Sequence, residues 1–282
     1  AQPEAGTPAA DPSGAPDHNV PGEGPAGAVP EGEPSTLSGG SEQGQNVPNS
    51  PEDKPAHVGE SGESSYDFSR PAPESPAVDN TYFEDAAFVG DSRTDGFLLY
   101  SGIGTGTNLT SNGLSIFKLA EKKAITIDGT AYTLLEALEL GEYGKVYLSL
   151  GVNELGYYND EGFYQAYCDA IDAIRACQPD AVIYIQGLIP LNESVVAASG
   201  GPSYLTNEHL RVYNGLMQKA AEEKQVVFLD LYSEFANENG ELPEEASKDG
   251  VHLKSDYCKQ WLEYLKVHTV DFETLYPEGT ET

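Results

Sequence analysis

Four short apolar runs, each about one strand long and separated by stretches with helical spacing of apolar residues, constrain this chain more than any other feature. They cover residues 86–89, 145–150, 181–186 and 226–230. Runs without polar alternation read as strands buried on both faces. The stretches 163–177, 207–223 and 257–267 read as amphipathic helices. Strands that alternate with helices run parallel, and their crossovers lay helices on both faces of the sheet. The expectation is therefore an α/β fold, a three-layer α/β/α sandwich around a doubly wound parallel sheet.

Residues 1–78 are of another kind. They hold 14 of the 19 prolines and 11 of the 30 glycines and contain no apolar run. Such a segment cannot bury enough surface to offset its ordering entropy, so a disordered, extended spacer is expected there. Its 13 acidic and 2 basic residues should stretch it further by like-charge repulsion. Residues 79–282 fit a single domain. With 33 acidic against 13 basic residues, that domain repels nucleic acid and anionic lipid.

No run approaches the ~20 apolar residues of a membrane span, and the first residues lack a signal peptide's basic and apolar regions. A long Pro/Gly/Glu spacer ahead of a compact domain suits a processed, secreted protein held away from a surface. An extracellular or cell-surface location, with the spacer as tether, is the expectation. Cys168, Cys177 and Cys258 have no metal-ligand spacing, and the first two lie too far apart on one helix to bridge each other. Free thiols are expected, with a pairing to Cys258 left open.

The first strand runs into Gly90-Asp91-Ser92-Arg93-Thr94, a tight turn leading to a short helix over 94–100. Ser92 thus stands at a strand's carboxyl end and a helix's amino end, where an open parallel sheet binds ligands and unpaired N–H groups favour developing negative charge. It is the candidate nucleophile, with a plain helix cap as the alternative. Serine needs a base. Of the domain's histidines, His209 and His268 fall in amphipathic helices, where a solvent-facing ring is the default. His252 instead lies in a loop between the last strand and the last helix. Asp249, three residues earlier, can fold back onto its Nδ1–H and fix the tautomer, although both could serve as ordinary turn residues.

Oxyanion donors are expected from the backbone of Ser92 and Gly113 and from the side chain of Asn153, which ends the 145–150 strand. The glycine-rich stretch 101–107 superficially resembles a dinucleotide fingerprint but follows no apolar strand, so it reads as a loop. Residues 123–133, with Asp128-Gly129, read as a small hairpin, and 134–140 as a helix ended by Gly141. Tyr157, Tyr158, Phe163 and Tyr164 crowd the segment after Asn153, either as core or as a surface for stacking on sugar rings.

Taken together, Gly90-Asp91-Ser92, Asn112-Gly113, Gly151-Val152-Asn153-Glu154 and Asp249-Gly250-Val251-His252 resemble, in order and spacing, the four sequence blocks of the SGNH/GDSL hydrolase family over residues 85–270. The resemblance implies a serine esterase or lipase of flavodoxin-like fold. Ser92 would be the nucleophile, His252 the base, Asp249 its orienting partner, and Ser92, Gly113 and Asn153 the oxyanion donors, with no metal or organic cofactor. Arg93 stands where the family's namesake leucine would be, which leaves substrate preference open, and Glu154 replaces the usual aspartate. Gly102, Gly104 and Gly106 compete with Gly113 for its place.

A tethered domain without a long apolar lid points to short-chain esters, acetyl above all, on carbohydrate or cell-wall glycan. Three alternatives stand beside that reading. An O-acyltransferase would pass the acyl group to a sugar hydroxyl. A metal-dependent phosphoesterase would need more histidines than the domain supplies. A catalytically silent binding module would need none of the serine, base, orienter or amide.

Overall fold

The computed structural model describes residues 66–277. Five strands, β1 (Ala86–Gly90), β2 (Thr107–Thr110), β5 (Lys145–Ser149), β6 (Val182–Gln186) and β7 (Val227–Leu229), form one all-parallel sheet in the order β2-β1-β5-β6-β7. A separate antiparallel hairpin joins β3 (Ile125–Ile127) to β4 (Thr130–Tyr132). Its turn residues Asp128 and Gly129 both have positive φ, the backbone that a two-residue hairpin turn requires.

Side chains alternate across the sheet and build two cores. Ala87, Val89, Val146, Leu148, Ile183 and Ile185 face the layer of α2 (Leu134–Leu138), α3 (Asp160–Cys177) and α5 (Asn207–Glu223). Ala86, Phe88, Tyr147, Val182 and Tyr184 face α1 (Ser92–Tyr100), α6 (Leu231–Phe235), α7 (Ser255–Lys266) and α8 (Phe272–Leu275). On this second face three paired residues stack across three strands, Phe88 on Tyr147 at 5.0 Å and Tyr147 on Tyr184 at 4.6 Å between ring centres. Each such pair adds roughly 0.5–1.5 kcal/mol beyond its buried area. A short α4 (Glu193–Ala198) follows β6. The expected doubly wound sandwich is thus the observed one.

β1 lies between β2 and β5, so the chain steps to one side of β1 first and to the other side afterwards. That reversal opens a crevice at the carboxyl end of β1, where open α/β sheets bind ligands.

Two elements differ from what the sequence suggests. β2 has the sequence Thr-Asn-Leu-Thr, in which only Leu109 is buried, so it carries no apolar run although Val89 pairs with Leu109. The spacer expected over 1–78 lies outside the described residues up to 65, but 66–78 are part of the domain. Phe68 and Ala72 are buried, and the amides of Ala72, Ser75 and Val78 donate to the carbonyls of Phe228, Val267 and Lys266 at 2.7–3.0 Å. The prolines at 71, 73 and 76 lack a donor, and the residues between or after them supply the bonds that cover edge strand β7 and the end of α7. The three cysteines are free.

Candidate active site

The turn after β1 depends on a close approach. A Cβ on Gly90 would sit 2.0 Å from Thr94 Oγ1 and 3.0 Å from Ser149 O, so only glycine lets α1 begin against β5. Asp91, not Ser92, caps α1, its Oδ1 accepting from Arg93 N at 2.9 Å. The Ser92 hydroxyl, at the helix amino end, is thereby not used as the cap. Burial raises the pKa of Asp91, against the opposing pull of its bond from the Arg93 amide.

His252 belongs to a loop that organises itself. Asp249 Oδ1 accepts from the amides of Val251 and His252 at 2.9 and 2.8 Å, while Oδ2 faces His252 Nδ1 at 2.7 Å. Burial works against the Asp249 charge, but the hydrogen bonds from His252 and Val251 outweigh it and hold the carboxyl well below the usual carboxylate range. With Nδ1–H donating to that carboxylate, Nε2 is left to accept, and it lies 2.8 Å from Ser92 Oγ. The structure therefore brings Ser92, His252 and Asp249 into one hydrogen-bonded line. Ser247 completes the loop. Its Oγ accepts from Gly250 N at 2.9 Å and lies 2.7 Å from His252 O and 3.0 Å from Asp249 Oδ1, contacts that sequence reasoning missed.

Arg93 joins the two halves. Its Nη1 donates to Ile189 O at 3.0 Å, and a few residues on, Asn192 N donates to Gly250 O at 3.0 Å while Asn192 Nδ2 donates to Leu242 O. A Cβ on Gly250 would meet Asn192 O at 2.4 Å. Arg93 is only 6% exposed, and burial lowers its pKa to about 10 against the lift from Asp91 and Asp249. It stays charged at neutral pH and is too buried to contact substrate at the surface, so the leucine-to-arginine change acts inside the protein.

The remaining predicted residues gather at the same sheet end. Gly113 has φ +67° in a turn tied to β1 by Ser111 N donating to Gly90 O, and its own amide has no acceptor among the described residues. Gly102, Gly104 and Gly106 precede the start of β2, whereas Gly113 follows its end, so the parallel pairing with β1 leaves only Gly113 on the side of Ser92. Asn153 follows β5 in a 3₁₀ turn, but its Nδ2 donates to Leu114 O at 3.1 Å and to Asp91 Oδ2 at 3.3 Å. To serve an oxyanion it must release one of these bonds, and the longer, to Asp91, is the weaker. Glu154 is a strut: Oε1 accepts from Ile116 N at 2.8 Å, and burial raises its pKa.

His209 and His268 lie elsewhere. His209 is packed, not solvent-facing as expected, with Nδ1 on Leu155 O and Nε2 on Asp160 Oδ1. His268 Nδ1 contacts Tyr264 O. The aromatic segment divides: Phe163 and Tyr164 are core, whereas Tyr157 and Tyr158 are 49% and 72% exposed. Among the described residues no group of three or more His, Cys, Asp or Glu side chains is placed to hold a metal ion, and no helix is long and apolar enough to cross a membrane. A groove of about 390 Å³ opens beside His252, lined by that ring with Tyr100, Lys248, Asp249, Leu253, Lys254 and Ser255.

Comparison with known proteins agrees with this fold. Residues 88–259 match the GDSL-like Lipase/Acylhydrolase family. A Streptococcus pneumonia structure named for platelet activating factor is similar at 21% identity, with 70% of this chain and 91% of that chain covered and a TM-score of 0.53. A structure from Parabacteroides merdae named as a GDSL-like lipase is similar at 15% identity, with 68% and 98% covered and a TM-score of 0.50. At these identities the likeness is one of fold. None of the curated proteins matches the chain.

Proposed function

This chain belongs to the GDSL-like lipase/acylhydrolase family and is a carboxylic ester hydrolase, and from that premise we propose that it removes short acyl groups, acetyl above all, from carbohydrate through a Ser92-His252-Asp249 triad. The observation that carries the reading is the unbroken line of contacts, 2.8 Å from Ser92 Oγ to His252 Nε2 and 2.7 Å from Nδ1 to Asp249.

Ser92 Oγ attacks the ester carbonyl as His252 Nε2 takes its proton, and Asp249 stabilises the imidazolium that forms. Charge develops on the carbonyl oxygen, and the free amides of Ser92 and Gly113 meet it, joined by Asn153 once that side chain leaves Asp91. His252 returns the proton to the leaving alcohol, which departs and leaves an acyl group on Ser92. Water, deprotonated by the same ring, then hydrolyses that ester.

Two features support a small acyl group on a sugar. The His252 side chain is half exposed, so the reacting centre faces solvent along an open groove and not a closed apolar channel. Exposed tyrosine rings at 100, 157 and 158 supply flat faces of the kind that stack on pyranoses. The composition of the Pro/Gly/Glu-rich residues 1–65 supports an extracellular, tethered enzyme.

Ser92→Ala tests the mechanism. It should lower hydrolysis of nitrophenyl acetate by about 10⁴-fold or more without changing the melting temperature, and wild-type-like turnover would end the assignment. A panel of nitrophenyl esters of graded length tests the acyl preference, since faster cleavage of long chains than of acetyl would overturn it.

A further inference from the structure

We propose that the groove beside His252 is a subsite for a carboxylate-bearing pyranose, so that the preferred substrate is an acylated acidic sugar; this rests on the carbohydrate esterase reading above. The groove touches the base directly and has a volume of about 390 Å³, at the lower end of the roughly 300–1,000 Å³ usual for small-molecule sites.

Its lining has two chemical characters. Tyr100, 55% exposed at the end of α1, and Leu253 give an apolar floor that fits the C–H face of a sugar ring. Lys248 and Lys254 give a cationic rim on either side of the Asp249-to-His252 loop. These lysines are unlike most others in this acidic chain. Lys118, Lys145, Lys224, Lys259 and Lys266 each hold a carboxylate within 3.0 Å. Lys248 and Lys254 take part in no ion pair among the described residues, and Lys254 Nζ donates only to the Glu245 carbonyl at 2.6 Å.

The nearby acids do not neutralise them. Asp249 is engaged by His252 and Asp256 pairs with Lys259, while Glu244 and Glu245 line a neighbouring pocket with Lys248 and Lys254 and, among the described residues, form no ion pair with either. In a domain whose overall field repels anions, two unpaired cations beside the catalytic base create a local exception. A carboxylate on the ring seated over Tyr100 is the group they suit.

The test compares acetylated methyl glucuronoside with acetylated methyl glucoside, which differ only in carboxylate against hydroxymethyl. At low salt the wild-type kcat/KM ratio should favour the uronate by about five- to tenfold. It should fall towards one near 1 M salt, where screening acts within ~3 Å, and in the Lys248→Gln/Lys254→Gln variant. A wild-type ratio at or below one, or a ratio unmoved in the double variant, overturns the proposal. A second arm measures binding of unacetylated methyl glucuronoside to the Ser92→Ala protein by calorimetry. Binding that is lost on adding the two lysine substitutions upholds the subsite even if neither acetate is cleaved, the result that would sink the esterase reading. Equal binding of glucuronoside and glucoside overturns the subsite whatever the hydrolysis data.

Discussion

The turn that carries Ser92 and the loop that carries His252 meet at 2.8 Å, yet they are held in place by opposite means. The serine turn is positioned from outside itself: β1 is buried along its whole length, paired on both edges, and Gly90 is pressed against Thr94 and the β5 backbone. The histidine loop is positioned largely from within, by Ser247 and Asp249 bonding to their own near neighbours, and its imidazole is half exposed. One half of the site therefore shares the stability of the sheet. The other can change its chemistry without disturbing the fold.

Three substitutions and two truncations can break or sharpen that contrast. The largest effect belongs to Asp249→Asn, which should cut turnover by about 10²–10⁴-fold by losing the tautomer control on His252, with little change in melting temperature. The wild-type pH profile adds a check. Asp249 has a depressed folded pKa, so its contribution to stability is present above the unfolded value of about 3.9 and is lost only as pH falls through the lower folded value. Moderate acidification should then leave Asp249 ionised, and the activity lost there should follow uptake of a single proton. A two-proton slope would mean that Asp249 is protonated in the same range.

Gly90→Ala should act the other way round, destabilising the domain by about 1–3 kcal/mol through the clash with Thr94 and Ser149. Unchanged melting would show that the serine turn is not held by packing. Next comes truncation. Removal of residues 1–65 should leave the melting temperature where it is, whereas removal of 1–78 exposes the Phe68 pocket, worth roughly 1.5–3 kcal/mol, and should lower it by several degrees. Equal melting of the two truncated proteins would sever that strand-edge segment from the fold. Ser247→Ala should have the smallest effect, a several-fold loss of turnover from about 1 kcal/mol of loop order, without a change in KM. An unchanged rate would show that Asp249 and its amide donors hold the loop unaided.

The same contrast explains what could be read before the structure. β1, β5, β6 and β7 are legible because central parallel strands are buried on both faces and so lack polar alternation. β2 is not, since an edge strand with one buried leucine looks like a turn. Residues 66–78 fail for a related reason: their few apolar groups have no period, and the bonds that fix them reach partners more than 150 positions away. Asp249 and His252 are legible because their contact is local, three residues apart. The hold of Asp91 and Leu114 on the Asn153 amide, and the burial of Arg93, depend on which strands become neighbours, and no spacing in the sequence records that.

The bond from Arg93 to Ile189, and from Asn192 on to Gly250, means that the hydroxyl and the ring hang from one common bracket. A shift of that bracket would pull on the histidine loop while the sheet holds the serine turn in place, and so would change their separation. Attempts to retarget such an enzyme should therefore leave positions 189 to 192 alone and vary Tyr100, Lys248 and Lys254 on the outer wall, where selectivity can drift while the chemistry stays in register.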